Sequence, residues 1–163
     1  MVEAAVSGAD DRLEIIETAN AIGLFADLRD WDALRDCFCD EVELSYGGQA
    51  RRLSSAELVD GWRFLGEFAA TEHQVTNHKI ELEGDRAHAQ AHVVATHHMP
   101  EASGEPFWIC GGNYDYGLRR TPSGWRVEKM TFTLTWSRGN GGLIALAQER
   151  RKAKVEGGGQ SHG

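Results

Sequence analysis

The 163-residue chain has little of what marks most specialised protein classes. No apolar run approaches the roughly 20 residues that a membrane-spanning helix needs, so no membrane partner is expected. The opening MVEAAVSGADDR lacks the charged-then-apolar order of an export signal, which fits a cytoplasmic protein. Cysteine is scarce: Cys37, Cys39 and Cys110 are an odd set, as in a reducing compartment rather than a disulfide framework. They are expected to be small apolar fillers, because no second cysteine or histidine pair completes a zinc set beside Cys37 and Cys39. Positive charge is in deficit, with 17 Lys and Arg against 25 Asp and Glu, a net charge of −8. That balance argues against nucleic acid, whose phosphates require clustered cations. The one basic run, at Arg150, Arg151, Lys152 and Lys154, reads as a solvated helix end, where cations complement the helix dipole.

Nucleotide and nucleophile motifs are missing as well. There is no Gly-x-Ser-x-Gly elbow, no phosphate-binding P-loop and no Gly-x-Gly-x-x-Gly after a strand. No helix carries a His-x-x-x-His pair, and His88, Gln90 and His92 fall on the polar face of a strand. Neither a metal nor a cofactor is therefore expected.

What is present is a balanced composition, 41% hydrophobic and 26% charged, at a length that suits one core. A single domain is expected over residues 10–154, with 1–9 and the Gly-rich 155–163 as flexible tails. Ile15, Ala19, Ile22 and Ala26 recur at helical spacing and predict a helix from Asp10 to Leu28. A short helix follows from Trp31, capped by Asp30, with Leu34 and Phe38 inward. Val42–Tyr46 alternates as a strand stopped by Gly47 and Gly48. Ser54 and Glu57 form a capping-box pattern before a helix whose apolar side is Leu58, Trp62, Leu65 and Ala69. Long strands then follow: His73–Leu82, Arg86–His98, Phe107–Arg120 and Trp125–Ser137. A terminal helix spans Leu143–Lys152. Helices followed by an antiparallel meander predict an α+β fold with helices on one sheet face and a pocket between the layers.

Strand parity picks out candidate pocket residues. Ala87, Ala89, Ala91, Val93 and Ala95 form a small apolar face that ends in phase at His97. Trp108, Cys110, Gly112 and Tyr114 share a face, and Gly111-Gly112 reads as a bulge or sheet bend. On the last strand, Trp125, Val127 and Lys129 oppose Met130, Phe132, Leu134 and Trp136, so a bulge must swap the faces somewhere. Asp27 ends the first helix, and Gly23, four residues earlier, is expected to open space. His73 begins the first long strand. A carboxylate beside that imidazole would hold its tautomer and raise its basicity, and the pair would move a proton off a substrate and back. Ile80 and Leu82 share parity with His78 rather than His73, so this pairing needs a bulge near Asn77.

Several of these segments resemble one family in order. Asp27-Leu-Arg-Asp-Trp-Asp-Ala-Leu34 leading to Phe38-Cys-Asp-Glu-Val42 resembles the opening of SnoaL-like proteins, of the nuclear-transport-factor-2-like superfamily. His73-Gln-Val-Thr-Asn77, Gly111-Gly-Asn-Tyr114, Arg119-Arg120 and Gly124-Trp125-Arg-Val127 continue the likeness over roughly residues 10–150. The resemblance implies a cone-shaped, cystatin-like half-barrel: a curved antiparallel sheet wrapped on N-terminal helices, with a C-terminal helix and a deep apolar cavity. Within the superfamily the motifs are most similar to the scytalone dehydratase and hexachlorocyclohexane dehydrochlorinase branch. That similarity implies Asp27 supporting His73 as general base, His97 as a second pocket histidine and Lys129 as a basic group facing a departing anion. Ala26, Gly112 and Tyr114 depart from the dehydratase's Tyr, Ser and Asn, so the same polyphenolic substrate is not expected.

The expected activity is a lyase or isomerase step, without a cofactor, on a small hydrophobic, cyclic molecule. Its catalytic groups are Asp27, His73 and His97; its pocket is lined by Tyr46, Trp62, Leu65, Trp108, Cys110, Tyr114 and Lys129. His97, Tyr114 or Lys129 would stabilise a developing oxyanion or leaving group. A polyketide-cyclase-type aldol closure and a non-catalytic ligand-binding module are the alternatives. The face carrying His88, Gln90, His92, Val94 and Thr96 is a candidate interface for a homodimer or homotrimer.

Overall fold

The computed structural model describes residues 2–158; Met1 and 159–163, the outer parts of the expected tails, lie outside the described residues. Helices α1 (Val2–Leu28) and α2 (Trp31–Asp36) come first, followed by strands β1 (Phe38–Tyr46) and β2 (Gln49–Ser54). Helix α3 (Ser55–Trp62) tightens into a 3₁₀ turn, Arg63–Glu67. Strands β3 (Ala70–Glu83), β4 (Arg86–His98), β5 (Phe107–Thr121) and β6 (Gly124–Gly139) follow, and helix α4 (Leu143–Gly158) closes the chain. The strands form one six-stranded open sheet in the order β2-β1-β6-β5-β4-β3. This is the expected α+β architecture, a curved unclosed sheet with helices on its concave side. No described helix is long and apolar enough to cross a membrane.

Local chemistry explains most boundaries. The Asp30 side chain accepts from the Ala33 N–H at 3.1 Å and starts α2. At α3, the Ser54 hydroxyl accepts from the Glu57 N–H while Glu57 Oε2 accepts from the Ser54 N–H at 2.8 Å. Helix α1 starts eight residues before the expected Asp10, at Val2. Asp10 and Asp11 are thus interior to it, and Asp11 accepts from both terminal nitrogens of Arg120 at 2.7 Å and from Trp125 Nε1 at 3.1 Å. Helix α4 likewise runs past Lys152 to Gly158. The third helix ends at Trp62, so Ala69 belongs to no helix.

Two features of the sheet differ from the expected meander. Gly47 and Gly48, both at positive φ (62° and 81°), do not end the sheet but turn β1 into the edge strand β2. Strand β2 is mostly exposed and its sequence polar, so it shows no apolar alternation. Strand β1 then joins β6 in parallel, so the sheet is mixed at that seam.

The core lies between α1 and the concave face. Ile15, Ala19, Ile22 and Ala26 are buried on the helix, and Ala87, Ala89, Ala91, Val93 and Ala95 are buried on β4. Besides a register shift between Phe38 and Glu43 on β1, three irregularities bear on which side chains face inward. Asn77 adopts φ 57° where the β3–β4 register slips between Thr76 and Lys79, so His73 and Ile80 both face inward. Opposite Gly117 and Leu118, the extra residue Glu128 leaves Val127 and Met130 buried. Opposite Gly111 and Gly112, the extra residue is Thr135. There a Cβ on Gly111 would strike the Trp136 indole, and one on Gly112 would strike the Thr133 carbonyl and Phe132 ring. Gly112→Ala is accordingly expected to overpack the bend and cost about 1–3 kcal/mol, a fall of roughly 3–10 °C in Tm. An unchanged thermal melt would contradict this.

Candidate active site

Between the concave sheet face and helices α1, α3 and α4 lies a cavity of about 500 Å³. Tyr46, Trp62, Leu65, Trp108, Cys110 and Tyr114 all line it, as do His73 and His97. Gln49, Arg51 and Leu53 of β2 also line it. Sequence reading missed them because it stopped the sheet at Gly47-Gly48, the dipeptide that in fact signals the hairpin. Trp31 lies outside this lining and packs under the Arg63 guanidinium instead, 5.5 Å from its ring centre.

Asp27 stands behind His73 rather than in the lining. Its Oδ1 is 2.7 Å from His73 Nδ1 and accepts from the Thr71 hydroxyl at 2.8 Å; its Oδ2 accepts from the His73 backbone N–H at 2.7 Å. Thr71 was not foreseen, although it shares strand parity with His73. Gly23 favours this geometry in two ways. It lines the cavity and also lets α1 lie tightly on β3, since a Cβ there would stand 3.0 Å from His73 Cβ.

Burial alone would raise the Asp27 pKa. The hydrogen bond and charge of His73, its backbone N–H and the Thr71 hydroxyl outweigh that and hold the carboxyl below its ordinary value. An ionised Asp27 only accepts, so His73 Nδ1 must carry the proton. In the neutral ring the other nitrogen, Nε2, then carries the lone pair, and it makes no hydrogen bond among the described residues.

His97 has different surroundings. It is 4% exposed, packed between Phe68 and Trp108, with its ring centre 5.7 Å from that of His73. Its Nδ1 lies 3.3 Å from the Trp108 carbonyl oxygen, which only accepts, so that nitrogen carries the proton. Burial, and next the neighbouring His73, push its pKa down to about 4. His97 is therefore neutral at pH 7 and offers the cavity a lone pair. This corrects its expected role as an oxyanion donor. Tyr46 and Tyr114 also line the cavity, and burial pushes the Tyr114 phenol well up, so it stays protonated.

Lys129 is a second correction. The bulge at Glu128 turns it to the far face of the sheet, where its Nζ bonds Glu43 at 2.8 Å. It does not line the cavity. On that same outer face His88 Nε2 is 2.9 Å from Asp115 Oδ1, and Asn77 Nδ2 is 3.2 Å from His92 Nδ1. Among the described residues no group of His, Cys, Asp or Glu side chains is placed to hold a metal ion. The cysteines are buried free thiols.

The low His97 pKa has a consequence for stability. Above pH 6.5, the ordinary histidine value, folded and unfolded chains both carry it neutral, and it contributes no pH dependence. As pH falls from 6.5 towards about 4, the unfolded chain binds a proton that the folded one refuses, so stability declines. Between about pH 7 and 5 the wild type should lose roughly 2 kcal/mol more than His97→Phe. Urea unfolding at the two pH values checks this, and equal losses would contradict it.

Comparison with known proteins adds the lineage. The Kfla4162 protein from Kribbella flavida is 29% identical, superposes with TM-score 0.78 and covers 86% of this chain and 99% of its own. An NTF2-like protein with a cystatin-like fold from Novosphingobium aromaticivorans is 26% identical, with TM-score 0.69, covering 89% and 94%. A type 2 hexachlorocyclohexane dehydrochlorinase, LinA, shares the fold at 15% identity and TM-score 0.71, covering 85% and 94%. The SnoaL-like domain family matches residues 7–131, most of the chain, and together with the fold this establishes that the chain belongs to the SnoaL-like family of the NTF2-like superfamily.

Proposed function

We propose that the chain is a lyase or isomerase that begins by taking a proton from carbon, with His73 as general base and Asp27 as its orienting partner. The 2.7 Å contact between Asp27 Oδ1 and His73 Nδ1 at the wall of a largely apolar cavity carries this reading. Nε2 of His73 accepts the substrate proton, and the ionised Asp27 stabilises the imidazolium that results. The electron pair left on carbon then expels a group from the neighbouring carbon, or moves onto a carbonyl oxygen held by the Tyr46 and Tyr114 hydroxyls. The imidazolium returns its proton to the leaving group or to another carbon. In this reading His97 Nε2 accepts from a hydroxyl of the substrate.

A small, largely hydrophobic, cyclic molecule fits this reading, because Leu44, Leu58, Trp62 and Phe132 give much of the wall, with Gln49, Arg51, Glu57 and Gln148 among its polar residues. Membership of the SnoaL-like family, and a shared fold with a protein named as a dehydrochlorinase, support an elimination. An aldol closure of the polyketide-cyclase kind would use the same first step. A purely binding module has no need of an ionised carboxylate fixing a ring tautomer.

Exchange of α-protons in D₂O, followed by proton NMR on small cyclic ketones such as 2-tetralone, reads that first step alone. The wild type should accelerate exchange, His73→Ala should lose about 10²–10⁴-fold of it with the fold retained, and Asp27→Asn should lose at least about 10-fold. Full exchange activity in His73→Ala would overturn the reading.

A further inference from the structure

We propose that Arg29, acting through Thr71, is a positioning residue that keeps Asp27 aimed at His73; this rests on the reading of His73 as the base. The observation behind it is a residue in a place where its backbone is not at ease. Arg29 follows the last residue of α1 at φ 61°, in the left-handed region. The Asp30 N–H reaches the Phe25 carbonyl at 3.0 Å and the Arg29 N–H reaches the Ala26 carbonyl at 3.3 Å. That pair of bonds is the helix-ending arrangement in which glycine is usual, because a Cβ is unfavourable at positive φ.

The arginine side chain supplies a reason for the exception. Its Nη1 donates to the Ala26 carbonyl and to Thr71 Oγ1, both at 2.6 Å. A guanidinium only donates, so the Thr71 oxygen is fixed as acceptor towards Arg29. Its single hydroxyl proton is thereby committed to the other side, where Asp27 Oδ1 lies at 2.8 Å. Without Arg29 the hydroxyl is free to rotate and to compete for other acceptors. With it, the donors run one way: Arg29 to Thr71, Thr71 to Asp27, and His73 Nδ1–H to Asp27. Thr71 is 9% exposed, so water has little access to substitute for its hydroxyl. Arg29 also places a cation near the carboxylate. Burial lowers its pKa while the charge of Asp27 acts in the opposite sense, so the two groups sense each other.

A helix cap and a positioning residue respond differently to the same substitution. Arg29→Gly relieves the left-handed backbone, so its Tm should equal or exceed that of the wild type. Its His73 Nδ1–H resonance, assigned by its loss in His73→Gln, should nevertheless move upfield and exchange with solvent about 10-fold faster. Thr71→Val should do the same, whereas Thr71→Ser, which keeps the hydroxyl, should restore the wild-type signal. Wild-type resonance position and exchange rate in both Arg29→Gly and Thr71→Val would overturn the proposal while leaving the Asp27–His73 reading intact. Absence of any Nδ1–H resonance in the wild type would overturn both.

Discussion

A carboxylate held ionised in a half-buried place is the constraint on which the rest of the structure depends. Asp27 escapes the ordinary penalty of burial because the Thr71 hydroxyl, the His73 backbone N–H and the His73 ring all donate to it. Those donors belong to β3, whereas Asp27 belongs to the last turn of α1. The helix must therefore lie on the strand at backbone distance, which Gly23 permits. The strand must also keep His73 and Ile80 inward across an odd spacing, which the bulge at Asn77 permits. The small side chains of β4 complete the arrangement by leaving the cavity room beside His73.

The two cavity histidines show how surroundings divide chemical work. Their ring centres are 5.7 Å apart, and each turns Nδ1 to an oxygen acceptor, which favours the proton there. His73 faces a carboxylate that supports the charge it gains on taking a proton. His97 faces a neutral carbonyl and aromatic rings, and its pKa of about 4 keeps it from competing for that proton. In the proposed reaction the phenols of Tyr46 and Tyr114 provide the donors that His97 does not.

Much of this was legible in the chain itself, because it follows from local rules. The capping residues Asp30 and Ser54 marked helix starts, and the Ala row of β4 placed His97 inward. The mismatch of parity between His73 and Ile80 even required the bulge that the structure has at Asn77. What stayed hidden depends on partners distant in sequence. Lys129 was given the wrong face because the position of the Glu128 bulge is set by pairing with β5. Strand β2 was missed because an exposed edge strand has no apolar face to alternate. Arg29 and Thr71 are unremarkable residues, 42 positions apart, until the fold puts them in contact.

The central claim concerns where one proton sits. Neutron diffraction from crystals exchanged into D₂O at neutral pH locates it directly. A deuteron on His73 Nδ1, between the ring and Asp27 Oδ1, with Nε2 bare towards the cavity, is the predicted result. A deuteron on Nε2 with Nδ1 bare, or one carried by Asp27, would contradict the account.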